Sequence, residues 1–273
     1  MMKKAHIFCI FALASLSMLF SCAVDDTNDT SSSDNVQTTY IDYVSMKQDA
    51  GKWYFVGGSV SGHNNGSTYI PDENLDNADN IKAAVIQFEV LEDLSSDDEY
   101  KYKIHLVNGP VKIDAPLCKS KVMAEADSTH NDSIIELTLV DFIDNRYLIA
   151  AAQYYMTNRM PHYLTLCYAS DESFIKAASN DEPDTLRFFL RHNADDDVAT
   201  TNTSYNYSLQ GDLDSYLKAY DVHDIINDVF AKSEKKSIYV EIAYKALSSA
   251  NKQTTIKYCG FQYPFDVFEW KEK

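Results

Sequence analysis

Glycine is scarce, with 8 in 273 residues. The 17 Asn and the many Asp must therefore carry most of the turns. Positive charge is also short: 24 Lys+Arg stand against 41 Asp+Glu, a formal net charge of -17. The mean field of such a chain repels phosphates, so no nucleic-acid partner is expected. There is no CxxC, no His-x-x-x-His and no G-x-S-x-G. These gaps leave no expected zinc site, no cofactor and no recognisable serine nucleophile. Internal repeats and coiled-coil heptads are missing as well. What is present is apolar residues at 45% of the chain, which excludes wholesale disorder. Aromatics reach 12%, with 19 Tyr and 13 Phe against 2 Trp, and this favours strands over helices. The length fits one large domain, or two small ones plus appendages.

The N-terminus reads as an address. Lys3 and Lys4 precede an apolar run from Ile7 to Phe20, 14 residues long. That is short of the roughly 20 residues needed to span a bilayer, and no other stretch is apolar enough to cross one. Residues 1–21 are expected to be a signal peptide. Leu19-Phe20-Ser21-Cys22 resembles a bacterial lipobox, in which a peptidase cuts before the cysteine and its sulfur carries lipid. Cys22 is thus the expected lipidation site and the expected membrane contact. The plainer alternative is a secretory signal cut near Ala23. Each buried methylene of a lipid stabilises by about 0.8 kcal/mol, so two or three chains hold stably. Asp25 and Asp26 resemble the acidic surface-export signal of Bacteroidetes lipoproteins. The expected location is the outer membrane, facing the cell exterior. Residues 22–39 are polar and rich in Ser, Thr and Asp, and read as a flexible tether.

From Tyr40 the chain becomes β-rich. Tyr40–Val44 and Lys52–Val56 are strand candidates, separated by a turn at Asp49-Ala50-Gly51. Ala83–Leu91 and Tyr100–Val107 follow. Residues 40–125 are expected to form an OB-like barrel. Pro116 and the mixed composition of 113–131 place the boundary there. Residues 126–273 then offer strands at Ile134–Val140, Tyr147–Tyr155, His162–Tyr168, Thr185–Arg191, Tyr205–Gln210, Ser237–Leu247 and Thr254–Gly260. Short turns between seven strands predict an antiparallel β-sandwich. One inserted helix is predicted at about 221–232. Val222, Ile225, Ile226, Val229 and Phe230 form its apolar stripe, and Asp221 is its expected N-cap. The fold class is therefore all-β: barrel, then sandwich, with one helix.

The lipobox, the OB-sized first block, Tyr147–Tyr155, His162–Leu166 and Phe189-Leu190-Arg191-His192-Asn193-Ala194 together resemble the NigD-like lipoproteins of Bacteroidetes. The resemblance spans nearly the whole chain and is strongest at 188–194. It implies an N-terminal OB-like domain and a C-terminal β-sandwich. The family takes its name from a bacteriocin gene cluster and brings no catalytic residues with it. The chain departs from the family pattern at Asp214–Ser233, where a short turn is usual.

Chemistry-bearing residues are dispersed. Asp72-x-Asn74-x-Asp76 starts like a calcium loop but lacks the required glycine and the closing Glu. Asp195-Asp196-Asp197 reads as a solvated acidic turn. Arg191, His192 and Asn193 are the most tempting cluster, yet a turn conformation for Asn193 and backbone contacts for His192 explain them without function. Asp127-Ser128-Thr129, Asp132-Ser133-Ile134 and Asp184-Thr185-Leu186 resemble the short O-glycosylation acceptor of Bacteroidetes, making Ser128, Ser133 and Thr185 candidates. Cys118, Cys167 and Cys259 remain after lipidation. An odd number cannot all pair internally, and no disulfide framework is expected.

Three functions stay open. The first is a non-enzymatic lipoprotein that binds a protein or glycan. The second is a bacteriocin-associated, immunity-type lipoprotein. The third is a hydrolase using unrecognised carboxylates, although nothing singles out a pair.

Overall fold

The computed structural model describes residues 38–57, 66–76, 78–96, 99–118, 131–156, 162–169, 173–179, 181–194, 205–206, 216–247 and 253–264. Cys22, Ser128 and Asp195–Asp197 lie outside them. The barrel and the sandwich belong to one unit, Thr38–Lys273.

The barrel is built from β1 (Thr39–Asp49), β2 (Lys52–Gly57), β3 (Ser67–Pro71), β4 (Ala83–Asp93) and β5 (Tyr100–Lys112). Their order, β1-β2-β3-β5-β4, closes on itself through β1 and β4. This is the OB-like arrangement expected from the first block. Period-2 alternation sends Val44, Met46, Phe55, Ala84, Ile86, Phe88 and Ile104 inward to fill the barrel. The hairpin between β1 and β2 turns on Ala50 (φ 46°) and Gly51 (φ 81°). Both are left-handed, as a type I′ turn requires.

A middle sheet follows, in the order β6 (Asp114–Ala115), β14 (Leu217–Asp221), β8 (Tyr147–Gln153), β7 (Glu136–Ile143). Asp144 (φ 52°) and Asn145 (φ 50°) turn β7 into β8, one of the turns that Asn and Asp carry where glycine is scarce. The outer sheet runs β10 (Tyr163–Cys167), β12 (Asp184–Asn193), β15 (Ser237–Leu247), β16 (Thr254–Pro264), with β11 (Phe174–Ile175) also on β12. A small ribbon pairs β9 (Tyr155–Met156) with β13 (Tyr205–Asn206).

The middle sheet is buried on both faces, and this explains the unbroken apolar run of β8. Leu148, Ala150 and Ala152 face the outer sheet and meet Leu164, Leu166, Phe188, Leu190, Val240 and Ile242. Tyr147, Ile149 and Ala151 face the other way and meet Ala83, Val85 and Ile113 from the barrel side. A strand with two dry faces must be apolar at every position, not every second one. Polar ties reinforce the joint. Asp144 takes an ion pair from Lys47 at 2.7 Å and a hydrogen bond from the Ser45 hydroxyl at 2.8 Å.

Two expectations need correction. The sandwich is not purely antiparallel: β12 pairs with β15 in parallel, and β14 pairs with β6 in parallel. Parallel neighbours need a crossover between them. After β12 the chain enters the middle sheet as β14 and returns through α1 (His223–Lys232) to β15. The other correction is β14 itself, which lies inside the stretch read as a helical insertion. Most of the predicted Tyr205–Gln210 strand lies outside the described residues.

Helix α1 buries Ile225, Ile226 and Val229 in the sandwich core, joined by Val222. Phe230, assigned to the stripe, is exposed. Val222 occupies the N-cap position without a side-chain cap. Asp221, the expected cap, instead accepts the His223 N–H at 3.2 Å and holds Arg146 through Nη2 at 2.6 Å.

Candidate functional site

Arg191, His192 and Asn193 lie at the end of β12, and strand geometry separates them. Consecutive side chains point to opposite faces. His192 points inward with Leu190. Arg191 points outward with Phe189, beside the Cys167 thiol. Asn193 does not form a turn. It remains in the strand and pairs with Tyr163 of β10. The three residues therefore do not converge as one constellation.

His192 converges with a residue 30 positions away. Its register partner on β10 is Leu164, and His162 lies two residues earlier on the same face. The Nδ1 of His162 and the Nε2 of His192 are 2.8 Å apart, so one nitrogen donates and the other accepts. Tyr154, the residue just past β8, stacks on His162 with ring centroids 4.5 Å apart and lies tilted against His192 at 4.6 Å. All three side chains are buried. The His192 Nδ1 is buried too, and meets the Asp132–Ser133 backbone without completing a hydrogen bond. Burial, and then the neighbouring His162, lower the His192 pKa to about 4. His192 is thus neutral near neutral pH, and both rings are closed to solvent. Only the fold brings these two histidines together. The available sequence signal was that His162 and His192 each sit at an end of a strong strand.

A second polar couple lies inside the barrel, and the sequence did not mark it. Asp42 shares the inward parity of Val44 and Met46. Its Oδ2 accepts the Tyr69 hydroxyl at 2.7 Å, and its Oδ1 accepts the Tyr43 N–H at 2.7 Å. Burial raises the Asp42 pKa to about 6 despite those two hydrogen bonds. Tyr69 is held protonated by its own burial and by the nearby carboxylate. Gly57 makes the room, since a Cβ there would stand 2.5 Å from Asp42 Oδ2 and 3.0 Å from the Tyr69 ring. Tyr69 also packs on Phe88 and Tyr102, so the couple is walled by rings.

The acceptor-like residues fall in paired backbone. Ser133 is half-buried, between Asp132, whose N–H bonds the His192 carbonyl, and Ile134, bridged to Ala246. Thr185 sits within β12, flanked by Ile175 and Tyr239 on the neighbouring strands. Among the described residues no helix is long and apolar enough to cross a membrane.

Comparison with solved structures places this fold among proteins of Bacteroidetes. A "Putative lipoprotein" from Bacteroides fragilis aligns at 17% identity with a TM-score of 0.55, over 83% of this chain and 98% of its own. An uncharacterized protein from Parabacteroides merdae aligns at 12% identity with a TM-score of 0.53, over 82% and 98%. A "Putative TOXIN related protein" from Parabacteroides distasonis aligns at 15% identity with a TM-score of 0.50, over 84% and 96%. At such identities the likeness is one of fold: the barrel and sandwich are shared as a whole. A scan of protein-family models and a search of curated proteins both gave no match.

Proposed function

We propose that this chain is a NigD-like lipoprotein, held in the outer membrane by lipid on Cys22 and facing the cell exterior. Its barrel and sandwich bind a protein or glycan partner and catalyse no reaction. The observation that carries this reading is Leu19-Phe20-Ser21-Cys22 at the end of a short apolar run, followed by a polar tether. The fold shared with a Bacteroides fragilis "Putative lipoprotein" supports it. Among the described residues two titratable couples, His162 with His192 and Asp42 with Tyr69, are spent on each other in buried positions. That favours binding over catalysis.

Metabolic labelling with palmitate tests the anchor: the label is expected on the native chain and lost in Cys22→Ala. Protease shaving of intact cells tests the outward face, and an uncut protein would count against it. Pull-downs and glycan arrays with secreted proteins and glycans of the same community test binding. A uniformly negative result would argue against a binding role.

The second reading is an immunity-type role beside a bacteriocin. It is favoured by the family resemblance and by the fold shared with the "Putative TOXIN related protein". A deletion strain that keeps its sensitivity to sibling bacteriocins unchanged would remove it.

A further inference from the structure

Three cysteines beyond Cys22 lie among the described residues, and all are thiols in this structure. The sheet sorts them. Cys118, just past β6, forms a parallel bridge to Cys167 at the end of β10. The Cys118 N–H donates to the Leu166 carbonyl at 2.8 Å, and the Tyr168 N–H donates to the Cys118 carbonyl at 2.9 Å. Those two bonds straddle Cys167 and fix the register. Residues directly opposite on adjacent strands are about 4.8 Å apart. That lies inside the Cα separation of about 4.4–6.8 Å that a disulfide accepts. Both side chains lie on the outward face, where Cys118 packs on the cluster of Cys167, Phe189 and Ala243. Cys259 is excluded. It pairs with Ile242 and packs with it on the sandwich core, on the opposite face of the outer sheet.

We propose that Cys118 and Cys167 are a disulfide-forming pair, which clips the segment leaving the barrel to the free edge of the outer sheet. The proposal rests on the reading that the chain is exported, because disulfides persist in oxidising compartments. The oxidant is an exported thiol–disulfide oxidoreductase in its disulfide form. Cys118 is half-exposed and Cys167 is buried, so Cys118 is the accessible thiol. The Cys118 thiolate attacks one sulfur of the oxidant's disulfide, forming a mixed disulfide and releasing the oxidant's other sulfur as a thiolate. The Cys167 thiolate then attacks the Cys118 sulfur and expels the oxidant's remaining thiolate. The pair loses two electrons and two protons, and the oxidant leaves as a dithiol. Burial and the neighbouring Cys118 raise the Cys167 pKa, while Arg191 beside it works in the opposite direction. Cys167 thus suits the second, intramolecular step.

The test uses the full chain purified from exporting cells without reductant. It is alkylated under denaturing conditions, digested and mass-mapped. The expected result is one cross-linked species holding Cys118 and Cys167, two hydrogens lighter than the separate peptides, with Cys259 alkylated. Reduction should lower the Tm of the wild type and of Cys259→Ser alike, by about 10 °C for a loop of this length. Cys118→Ser should show no reductant effect. The proposal is overturned if all three thiols alkylate after incubation with oxidised glutathione, or if the cross-link contains Cys259. A palmitate-labelled chain whose thiols all stay reduced overturns the pair and leaves the lipoprotein reading standing. A cross-linked chain without palmitate on Cys22 does the reverse.

Discussion

Two buried titratable groups pull the pH dependence of stability in opposite directions. His192 has a folded pKa of about 4, below the ordinary 6.5. Between those values the unfolded chain binds more protons than the folded one, so stability is full above pH 6.5 and falls as pH drops. From pH 7.5 to pH 5 this loss is about 2 kcal/mol. Asp42 has a folded pKa of about 6, above the ordinary 3.8. In that window the folded chain binds more protons, so the strain of a buried carboxylate relaxes as pH falls. Over the same interval the gain is about 1.4 kcal/mol. The two nearly cancel, and this part of the wild-type profile should look shallow, with a net loss of about 0.6 kcal/mol. Single variants unmask each limb. His192→Gln keeps a polar atom near the Nε2 position but carries no charge. Relative to wild type it should gain about 2 kcal/mol on going from pH 7.5 to pH 5. Asp42→Asn retains an acceptor for the Tyr69 hydroxyl. Relative to wild type it should lose about 1.4 kcal/mol over the same step. Urea denaturation at the two pH values reads both. Variants whose pH slopes match the wild type, or shift in the same direction, would show that His192 and Asp42 do not set this part of the profile.

Packing and backbone geometry supply three further tests. Ile149→Ala opens a void between the middle sheet and the barrel and should cost about 2–4 kcal/mol in urea denaturation. A cost under about 0.5 kcal/mol would mean that this face is not closely packed. Tyr220→Phe removes the buried hydrogen bond to the Leu164 carbonyl, 2.9 Å long, which joins the two sheets of the sandwich. The expected loss is about 1–3 kcal/mol, because the carbonyl is left unsatisfied, and wild-type stability would sink this assignment. In Gly260→Ala the new Cβ would stand 2.3 Å from the Val240 carbonyl oxygen and 2.7 Å from Glu241 Cα. Backbone cannot swing aside as a flexible side chain does. The β15–β16 ladder should therefore loosen, read as faster amide exchange at Val240 and Glu241, while amides of the barrel strands keep their protection.

Local patterns made much of the architecture legible. The turns at Ala50-Gly51 and Asp144-Asn145 announced themselves by residue type, since left-handed backbone selects Gly, Asn and Asp. Ile225, Ile226 and Val229 gave away the helix because a 3.6-residue period is a local property. Leu217–Asp221 escaped notice as a strand. Five residues just ahead of a strong helical period are too few to show a strand period of their own, and only the partners β8 and β6 make them a strand. The site was harder to read. Arg191, His192 and Asn193 are adjacent in sequence, and adjacency in a strand means divergence. The real neighbours of His192 are His162 and Tyr154, supplied by the residue before β10 and by the residue after β8.

The β-rich class, the barrel-then-sandwich order and helix α1 could be read from the sequence alone. Each depends on composition, short-range period or a contiguous motif. The parallel pairing of β12 with β15, the double burial of β8, the histidine pair, the Asp42–Tyr69 couple and the meeting of Cys118 with Cys167 arise from the assembled fold. These depend on which strands become neighbours, and strand order is set by long-range packing of faces, which no local window of residues contains.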